Sequence, residues 1–439
     1  MKFTLSWLKE FLDTEASVDE IAERLTMLGL EVEGVSNAAE ALADFTIAEI
    51  VSMEKHPDAD TLKICQCETV DGKQQIVTAA TNTRVGLKSV WAPPGSTIPV
   101  NGMVMKTVKM RGVESNGMLC GSDEIGLAEK QGKIIMELPE DAPVGANIAN
   151  YLGLNDPVIE IGLTPNRPDC TGVYGIARDL AAAGVGTLQP YAPKAATTGA
   201  DHTINVKIES AHCAHFAARL VKNVSNGDSP AWLKQRLETI GLRPISALVD
   251  ITNYIMFEYG RPLHVYDADK LSGDMVVKDT AGGESLEALN DKNYNNIPAG
   301  AVGIYDDSGL IGLGGIVGGV STGVDENTKN VVIESAWFDP IAIAKTGRAL
   351  SLLTDARYRF ERGVDPQSTL PGILRATDLV LDICGGEAGA VVEAGAPKDT
   401  TKTIEFDTHL IAKRGGIDLD DQEAYRILEN LGFTMDGHS

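Results

Sequence analysis

Residues 243–271 read RPISALVDITNYIMFEYGRPLHVYDADKL, and this stretch decides the class of fold. Its first half places Leu248, Ile251 and Ile255 at helical spacing, which predicts a helix with one apolar face. Its second half alternates around His264 against apolar neighbours, which is typical of a β-strand. A helix followed closely by a strand predicts a mixed α/β domain.

Helices and strands keep alternating on both sides of this stretch, from residue 203 to about residue 390. Ser229-Pro230, Asp339-Pro340 and Asp365-Pro366 each place a capping side chain directly before a proline, which is the usual start of a helix. A double glycine at 385–386 ends the block. The sequence therefore predicts one α/β domain over these residues.

A carboxylate lies inside a strongly apolar strand of this domain. Residues 331–337 read VVIESAW, and strand alternation puts Glu334 on the same side as Val332. Such a carboxylate either lies at the rim of the sheet as a surface ion pair or is desolvated, and a desolvated carboxylate needs a hydrogen-bond donor or a raised pKa. A binding role and a surface ion pair both stay open on this pattern.

Two further polar residues of the domain have ordinary explanations beside a functional one. His264 fits a core histidine bonded to the backbone as well as a site residue. Asn253 lies within an apolar helix, where an amide usually points at solvent or caps a neighbour.

The first part of the chain has a different pattern. Residues 17–28 open with the capping pair Ser17 and Glu20, and apolar residues follow at helical spacing. After an Ala-rich link at 38–43, short alternating segments at 47–53, 62–70, 75–79 and 104–110 are separated by glycine and proline turns. Several short strands over about 110 residues predict a small β-barrel.

Basic residues are concentrated in this predicted barrel. They are either a solvated face or a phosphate-tracking groove of an OB-type barrel. The residues are Lys63, Lys88, Lys106, Lys109 and Arg111.

The composition limits the classes of function. The 439 residues carry 62 acidic and 38 basic side chains, a net charge of −24, so nothing global draws the chain to nucleic acid and any RNA contact needs a local basic patch. No stretch approaches the ~20 apolar residues of a membrane helix. The six scattered cysteines lack zinc-site spacing, which favours free thiols. We expect a cytoplasmic protein with no membrane partner.

Several familiar motifs fail. The run GLIGLGGIVGG at 309–319 has Val317 where a dinucleotide-binding loop requires its third glycine, and the sequence contains neither GxxxxGK[ST] nor GxSxG. YRFE at 358–361 is either the Arg-x-Glu with which class II synthetases hold ATP or a strand whose Arg359 and Glu361 form an ion pair. A capped amphipathic helix at 420–431 has too little chain around it to bury its stripe, so we expect either a domain cut short at this point or a domain that needs a partner.

Together these segments resemble the bacterial phenylalanyl-tRNA synthetase beta subunits, in order, from residue 1 to residue 439. The resemblance is carried by a series of motifs along the chain: WLKEFL (7–12), KHPDADTLKICQC (55–67), MRGVESNGMLCGSDEIGL (110–127), TPNRPDCTGVYGIARDLAA (164–182), RPISALVDITNYIMFEYGRPLHVYDADKL (243–271), GLGGIVGG (312–319), VIESAWFDP (332–340) and LTDARYRFERGVDP (353–366).

The resemblance implies an α+β multidomain chain in which a small N-terminal α/β module carries an inserted OB-type β-barrel. A mixed α/β editing domain and an incomplete DNA-binding-like module follow. The implied boundaries are 1–38 and 151–195 for the two halves of the N-terminal module, 39–150 for the tRNA-binding OB domain, 203–390 for the editing domain and 400–439 for the partial last module. The resemblance also places YRFE in the editing domain, where it would not bind ATP.

The resemblance implies a beta subunit that supports ATP-dependent charging of tRNA(Phe) by an alpha subunit, two alpha with two beta. It also implies hydrolysis of mischarged tyrosyl-tRNA(Phe) in the beta subunit's own editing site. ATP and Mg²⁺ serve the whole enzyme, and no metal or cofactor is expected on this chain alone. The alternatives are a non-catalytic tRNA-binding and assembly protein with a degenerate pocket, and a subunit that aminoacylates by itself, which we do not expect.

Particular residues take roles from the same resemblance. Glu334 is expected to accept the tyrosine hydroxyl, while His264, Asn253 and Arg243 surround the amino-acid backbone and the ester. We expect His264 to position a water rather than to act as the base. The remaining pocket residues are expected to leave room for the substrate or to line the wall: Gly315, Gly318, Thr354 and Ala356.

Overall fold

The computed structural model describes residues 1–128, 132–193 and 202–436, and the chain divides into two units. One unit comprises residues 1–34 and 159–439, and the other comprises residues 35–158. The loose stretch at 190–202, which the sequence suggests as a linker, falls largely on residues outside the described part. The domain boundaries drawn from the sequence stay predictions.

The first unit begins with a short β-α-β-α-β segment. Its elements are β1 (Lys2–Thr4), α1 (Leu5–Lys9), β2 (Leu12–Asp13), α2 (Val18–Met27) and β3 (Val32–Ser36). The predicted capping box of α2 is confirmed, because the Glu20 backbone N–H donates to Ser17 Oγ at 3.3 Å and the Ser17 backbone N–H donates to Glu20 Oε2 at 2.8 Å. Two of the orphan N–H groups at the start of the helix are thereby satisfied.

The second unit is mainly β-structure. Its elements are α3 (Ala38–Ala41), β4 (Thr46–Lys55), β5 (Lys63–Thr69), β6 (Gly72–Thr78), β7 (Lys88–Ala92), β8 (Thr107–Met110), β9 (Val113–Asn116), β10 (Met118–Cys120) and α4 (Ile148–Tyr151). An antiparallel sheet has the order β10-β7-β4-β5-β6, and β8 and β9 form a hairpin. The four predicted strands are present, the last beginning only at Thr107.

Side chains join the edge of this sheet to the hairpin. Gln75 Nε2 on β6 donates to the Glu114 carbonyl on β9 at 2.7 Å, and the Val77 N–H donates to Ser115 Oγ at 3.0 Å. The sheet buries apolar residues on both faces, because neighbours such as Ile47 and Ala48 belong to different hydrophobic clusters. Both faces of this sheet are therefore covered.

The chain then returns to the first unit. Its elements here are β11 (Val158–Ile161), a 3₁₀ turn (Pro168–Cys170), α5 (Val173–Ala182) and β12 (Thr187–Leu188). Strand β11 lies between β1 and β3, and β12 pairs with β2. Two segments far apart in sequence therefore share their sheets and a core.

The rest of the first unit is the α/β domain that the alternating pattern predicts. Its strands are β13 (Val206–Ile208), β14 (Cys213–Lys222), β15 (His264–Asp267), β16 (Met275–Asp279), β17 (Glu284–Ala288), β18 (Lys292–Ile297), β19 (Val302–Asp306), β20 (Gly309–Leu313), β21 (Val317–Gly318), β22 (Val331–Phe338) and β23 (Glu387–Gly395). Its helices are α6 (Ala231–Thr239), α7 (Ala247–Tyr259), α8 (Pro340–Ala349), α9 (Asp355–Phe360) and α10 (Thr369–Cys384).

Two sheets organise this domain. One has the order β15-β22-β14-β23 and is antiparallel, and the other has the order β13-β16-β19-β20-β21. All eight residues of β22 are buried, so both of its faces are covered. Val331 and Ile333 face the cluster that contains α7 and α10, whereas Val332 and Ala336 face the cluster that contains the second sheet. Glu334 shares the second face, between the two sheets.

The described chain ends with a π-helical turn (Ile411–Gly415) and α11 (Asp421–Asn430), whose cap is Asp420. Helix α11 confirms the predicted helix, and the assignment of 400–439 to a DNA-binding-like module stays a prediction. Among the described residues, no helix is long and apolar enough to cross a membrane. The six cysteines are free, as predicted, and all six are buried.

One local prediction is wrong. The stretch 358–361 lies in and just after helix α9, not in a strand, because the Thr354 side chain caps the helix by accepting from the Arg357 N–H at 3.1 Å. Helical spacing then pairs Arg359 with Asp355, four residues earlier, and not with Glu361.

Candidate functional site

A cavity of about 70 Å³ lies between the two sheets of the α/β domain. It is lined by strand, loop and helix residues that are mostly apolar: Pro262, Leu263, His264, Tyr266, Ile304, Gly312, Leu313, Gly314, Gly315, Ile316, Val317, Gly318, Glu334, Ala356 and Phe360. Small ligands are usually bound in such cavities, where a few polar groups interrupt an apolar wall.

Glu334 is the acidic group of this cavity. It is only 6% exposed, and burial raises the pKa of its carboxyl to about 7, because an apolar surrounding disfavours the charged form. The Tyr266 hydroxyl donates to Glu334 Oε2, which acts in the opposite direction and favours the carboxylate. The alternative of a surface ion pair is wrong, since the side chain is buried and its bond is to a phenol.

His264 lies directly opposite Glu334 on the neighbouring strand, as its cross-strand partner between β15 and β22. Burial lowers the pKa of the imidazole to about 4, so the ring is neutral at physiological pH. Its Nε2 is buried and has no hydrogen-bond partner among the described residues. A neutral imidazole with a free nitrogen at a cavity wall can donate to or accept from a bound molecule.

The predicted glycines form the wall by their backbone. Gly315 has φ +68°, and a Cβ there would lie 2.9 Å from Phe360 Cδ2 and 3.0 Å from Phe338 Cδ2. At Gly318 a Cβ would lie 2.5 Å from Nε2 of His264. Both positions therefore need glycine, Gly315 for its backbone angle as well as its contacts.

Helix α9 closes one side of the cavity. Ala356 and Phe360, one turn apart, both line the cavity. Thr354 does not line it, but its hydroxyl donates to the carbonyl of the lining residue Ile316 at 2.9 Å. Thr354 thus joins the start of the helix to the glycine-rich wall.

The structure does not bring Asn253 and Arg243 to this cavity. Asn253 lies half-buried on α7, which packs in the cluster on the opposite face of the β22 sheet, and Arg243 is exposed between α6 and α7. Neither residue is part of the lining. Their expected roles around the ester stay predictions.

Sequence reasoning assigned no role to Tyr266 and Phe360. Tyr266 follows His264 by two positions on a strand, so the alternation that selects His264 places Tyr266 on the same face. Its ring meets the His264 ring edge to face, with centroids 4.4 Å apart. Strand alternation could therefore have identified Tyr266. The contact of Phe360 with the cavity depends on helix α9, which the sequence analysis did not predict.

The basic residues of the second unit fall into two groups. Lys63 Nζ donates to Thr83 Oγ1 at 2.6 Å and Lys88 Nζ to the Ala142 carbonyl at 2.7 Å, so both ammonium groups stabilise their own fold. Lys106, Lys109 and Arg111 are exposed on or beside the β8–β9 hairpin. Arg111 also donates to the Asp58 carbonyl at 2.8 Å, which ties the hairpin turn to a neighbouring loop.

The groups that resemble nucleotide or metal ligands do not fit these ligands. The Arg359 guanidinium is buried, donates to the Thr171 carbonyl at 3.0 Å and lies 4.3 Å from the centre of the Phe257 ring. It therefore has no surface to offer ATP.

One group of three possible metal ligands lies in the described part of the chain: Asp169, Cys170 and Asp179. Arg167 and Arg178 both form ion pairs with the two carboxylates. Both carboxylates already have cationic partners in the protein, so the donor set fits an ion-pair cluster.

Comparison with known proteins gives two family models. The "Putative tRNA binding domain" matches residues 45–147, and the "B3/4 domain" matches residues 212–385, which include every cavity residue. A solved N-terminal fragment of the phenylalanyl-tRNA synthetase beta-subunit from Pyrococcus horikoshii is 17% identical, with a TM-score of 0.30 over 63% of this chain and 77% of that chain. That likeness is too remote to support a conclusion.

Curated relatives match the chain from end to end. The phenylalanine--tRNA ligase beta subunit of Mesorhizobium japonicum is 50% identical over 442 residues, covering 100% of this chain and 55% of the relative. That of Ruegeria pomeroyi is 50% identical over 446 residues, covering 100% and 56%. The chain thus spans about half the length of the curated relatives it matches. Over its whole length it is homologous to the N-terminal portion of the phenylalanine--tRNA ligase beta subunits, and it matches first the putative tRNA binding domain model and then the B3/4 domain model.

Proposed function

We propose that this chain acts within a phenylalanine–tRNA ligase and that its cavity hydrolyses tyrosine from mischarged tRNA(Phe). The observation that carries this proposal is the buried carboxylate of Glu334, which shares an otherwise apolar cavity with a neutral, unbonded His264 nitrogen. A phenol ring suits the apolar wall, and its hydroxyl suits the carboxylate.

The energetics of discrimination explain why such a second site is needed. An apolar aminoacylation pocket that binds phenylalanine rejects tyrosine by only about 10²-fold, because the competitor merely adds a hydroxyl. A site that requires the hydroxyl discriminates on the order of 10⁴-fold or more, because phenylalanine would leave buried polar groups unpaired. Glu334 is such a group.

The chemistry proposed is hydrolysis of an ester by an oriented water. His264 has a lowered pKa of about 4, which makes the imidazole a poor base, so we assign it to positioning the water through its free ring nitrogen. Neither a serine nor a cysteine is among the lining residues that the structure describes, which speaks against a covalent intermediate. The rate enhancement then comes from the orientation of the water and from dipoles that stabilise the developing oxyanion.

The second unit is proposed to be an OB-type barrel that contacts tRNA. The five-stranded antiparallel sheet and the family model over 45–147 support this assignment. The exposed Lys106, Lys109 and Arg111 offer the local positive charge that an acidic chain needs to meet phosphates.

The remaining assignments follow from the homology alone. An alpha subunit would carry out ATP-dependent charging with Mg²⁺, in a cytoplasmic enzyme of two alpha and two beta subunits. Neither ATP nor Mg²⁺ has a step in the hydrolysis proposed here, and the residues described above do not fit either group.

The decisive experiment measures deacylation of tyrosyl-tRNA(Phe) by the complete enzyme, with Glu334→Ala in the beta chain. We expect hydrolysis to be abolished while phenylalanine activation stays intact. Glu287→Ala, at an exposed glutamate of β17, is the matched control and should hydrolyse normally. Unchanged deacylation by the Glu334 variant would overturn the assignment. A wild-type enzyme without deacylation would favour a non-catalytic tRNA-binding and assembly role.

A further inference from the structure

We propose that Tyr266 is a positioning residue of the hydrolytic site, whose hydroxyl holds the Glu334 carboxylate in place to receive the hydroxyl of the substrate. This inference rests on the proposed function and adds a residue to it. The contact is made by neighbouring strands of one sheet, and no loop has to close to form it.

The geometry ties the two side chains together. Glu334 is paired with His264 across β22 and β15, and Tyr266 is paired with Val332, so Tyr266 and Glu334 are diagonal neighbours on one face. Tyr266 is 1% exposed and its hydroxyl donates to Oε2 of Glu334. The other oxygen, Oε1, is not engaged by Tyr266, and Glu334 lines the cavity.

No other group in the described part of the chain is placed to orient the Glu334 carboxylate. The cavity lining contains neither lysine nor arginine, so no cation orients the carboxylate. The titratable neighbours are His264 on β15 and Cys213 on β14, and burial keeps both uncharged near neutral pH by lowering the pKa of His264 and raising that of Cys213. From α9 and the second sheet, the cavity receives Ala356, Phe360, Ile304 and Leu313, which carry no charge.

The consequence for selectivity follows from the chemistry of the pair. Tyr266 already presents a phenol to Glu334, so the carboxylate sits in an orientation that suits phenol donors. A substrate tyrosine adds a second donor to the same carboxylate, and a phenylalanine adds none. Tyr266 also favours the ionised carboxylate over the protonated one, and only the ionised form accepts at both oxygens.

The test is Tyr266→Phe in the complete enzyme, which removes the hydroxyl and keeps the ring against His264. Deacylation of tyrosyl-tRNA(Phe) is measured from pH 5.5 to pH 9. Without the donor, the pKa of Glu334 rises, so the acidic limb of the rate profile should move up by about one pH unit, with about tenfold slower hydrolysis at pH 6 and a smaller loss at pH 9. Tyr294→Phe, at a buried tyrosine of the same hydrophobic cluster, is the control and should leave the profile unchanged.

A double variant separates positioning from packing. If Tyr266 acts through Glu334, adding Tyr266→Phe to Glu334→Gln should cost nothing further, because the two effects are not additive. Tyr266→Met, which keeps apolar volume, should show the same displaced limb and serves if the phenylalanine variant does not fold.

The outcomes distinguish the two proposals. An active wild type, an inactive Glu334→Ala and a Tyr266→Phe profile that superimposes on the wild type would overturn the role of Tyr266 and leave the proposed function standing. A wild type without deacylation at any pH would overturn both.

Discussion

The His264 ring lies where a side chain on Gly318 would have to go. A Cβ at Gly318 would lie 2.5 Å from Nε2 of His264, closer than carbon and nitrogen atoms can approach. The histidine and the glycine-rich wall of β21 therefore form one surface, and the position of the imidazole depends on the absence of a side chain at residue 318.

Gly318→Ala should displace the His264 ring and lower hydrolysis of tyrosyl-tRNA(Phe) by about 10²-fold, a loss of the size that misplacing a positioned group produces. Activation of phenylalanine should be unchanged. The measurement is deacylation by the complete enzyme.

The matched control is Gly227→Ala, where a new Cβ meets nothing within 4 Å. That variant should hydrolyse at the wild-type rate. If Gly318→Ala does so too, the imidazole does not need its present position.

Ala356→Trp should block the cavity. Ala356 lies on the lining of α9, so the indole would project into the space that a substrate ring would occupy, where alanine has only a methyl group. Mischarged tRNA should then persist, and the assay is accumulation of tyrosyl-tRNA(Phe) during charging. Leu353→Trp, at a neighbouring side chain that is 89% exposed, should clear the tRNA normally. Clearance by the Ala356 variant would show that the substrate enters elsewhere.

The strand part of the site could be predicted because strand periodicity is local. Alternation within 331–337 places Glu334 with Val332, and alternation around His264 marks its side of β15, so each residue's face follows from its neighbours. Their meeting as cross-strand partners depends on the pairing of β22 with β15, which no pattern within either strand contains. The resemblance to a known family supplied that connection.

The helical part could not be predicted in the same way. Asn253 lies on α7, and the face of the sheet on which a helix packs is a tertiary choice, here the face away from the cavity. At 358–361 the residue types suit a strand, but the Thr354 cap and the Arg359–Asp355 pair fix a helix. Capping upstream of a segment decided its structure.

The raised pKa of Glu334 predicts how stability depends on pH. The folded protein holds this proton up to about pH 7, and the unfolded chain releases it near the ordinary value of 4.5, so folding binds a proton between these values. Wild-type stability therefore falls as the pH rises through this window, by on the order of 3 kcal/mol from this group. Glu334→Gln removes the titration and keeps an acceptor for Tyr266.

Thermal melting of the wild type and of Glu334→Gln at pH 5 and pH 8 checks this pH dependence of stability. The melting temperature of Glu334→Gln relative to wild type should be higher at pH 8 than at pH 5. His264 titrates in both proteins, so its contribution cancels in the comparison. A difference that does not change with pH would mean that Glu334 is solvated and ionised in the folded state.

The two groups of basic residues in the second unit should behave differently. Lys109→Ala removes an exposed charge beside the hairpin turn, so it should weaken tRNA binding and reduce the slope of log K against log salt by about one. Lys63→Ala removes an ammonium bonded to Thr83 and to the Ala80 carbonyl, so it should lower the melting temperature and leave the salt slope nearly unchanged. A salt titration of tRNA binding to the complete enzyme measures both slopes. An unchanged slope for Lys109→Ala together with a reduced slope for Lys63→Ala would contradict this prediction. The phosphate contact would then be made by Lys63, whose ammonium is held by its own fold, and not by Lys109.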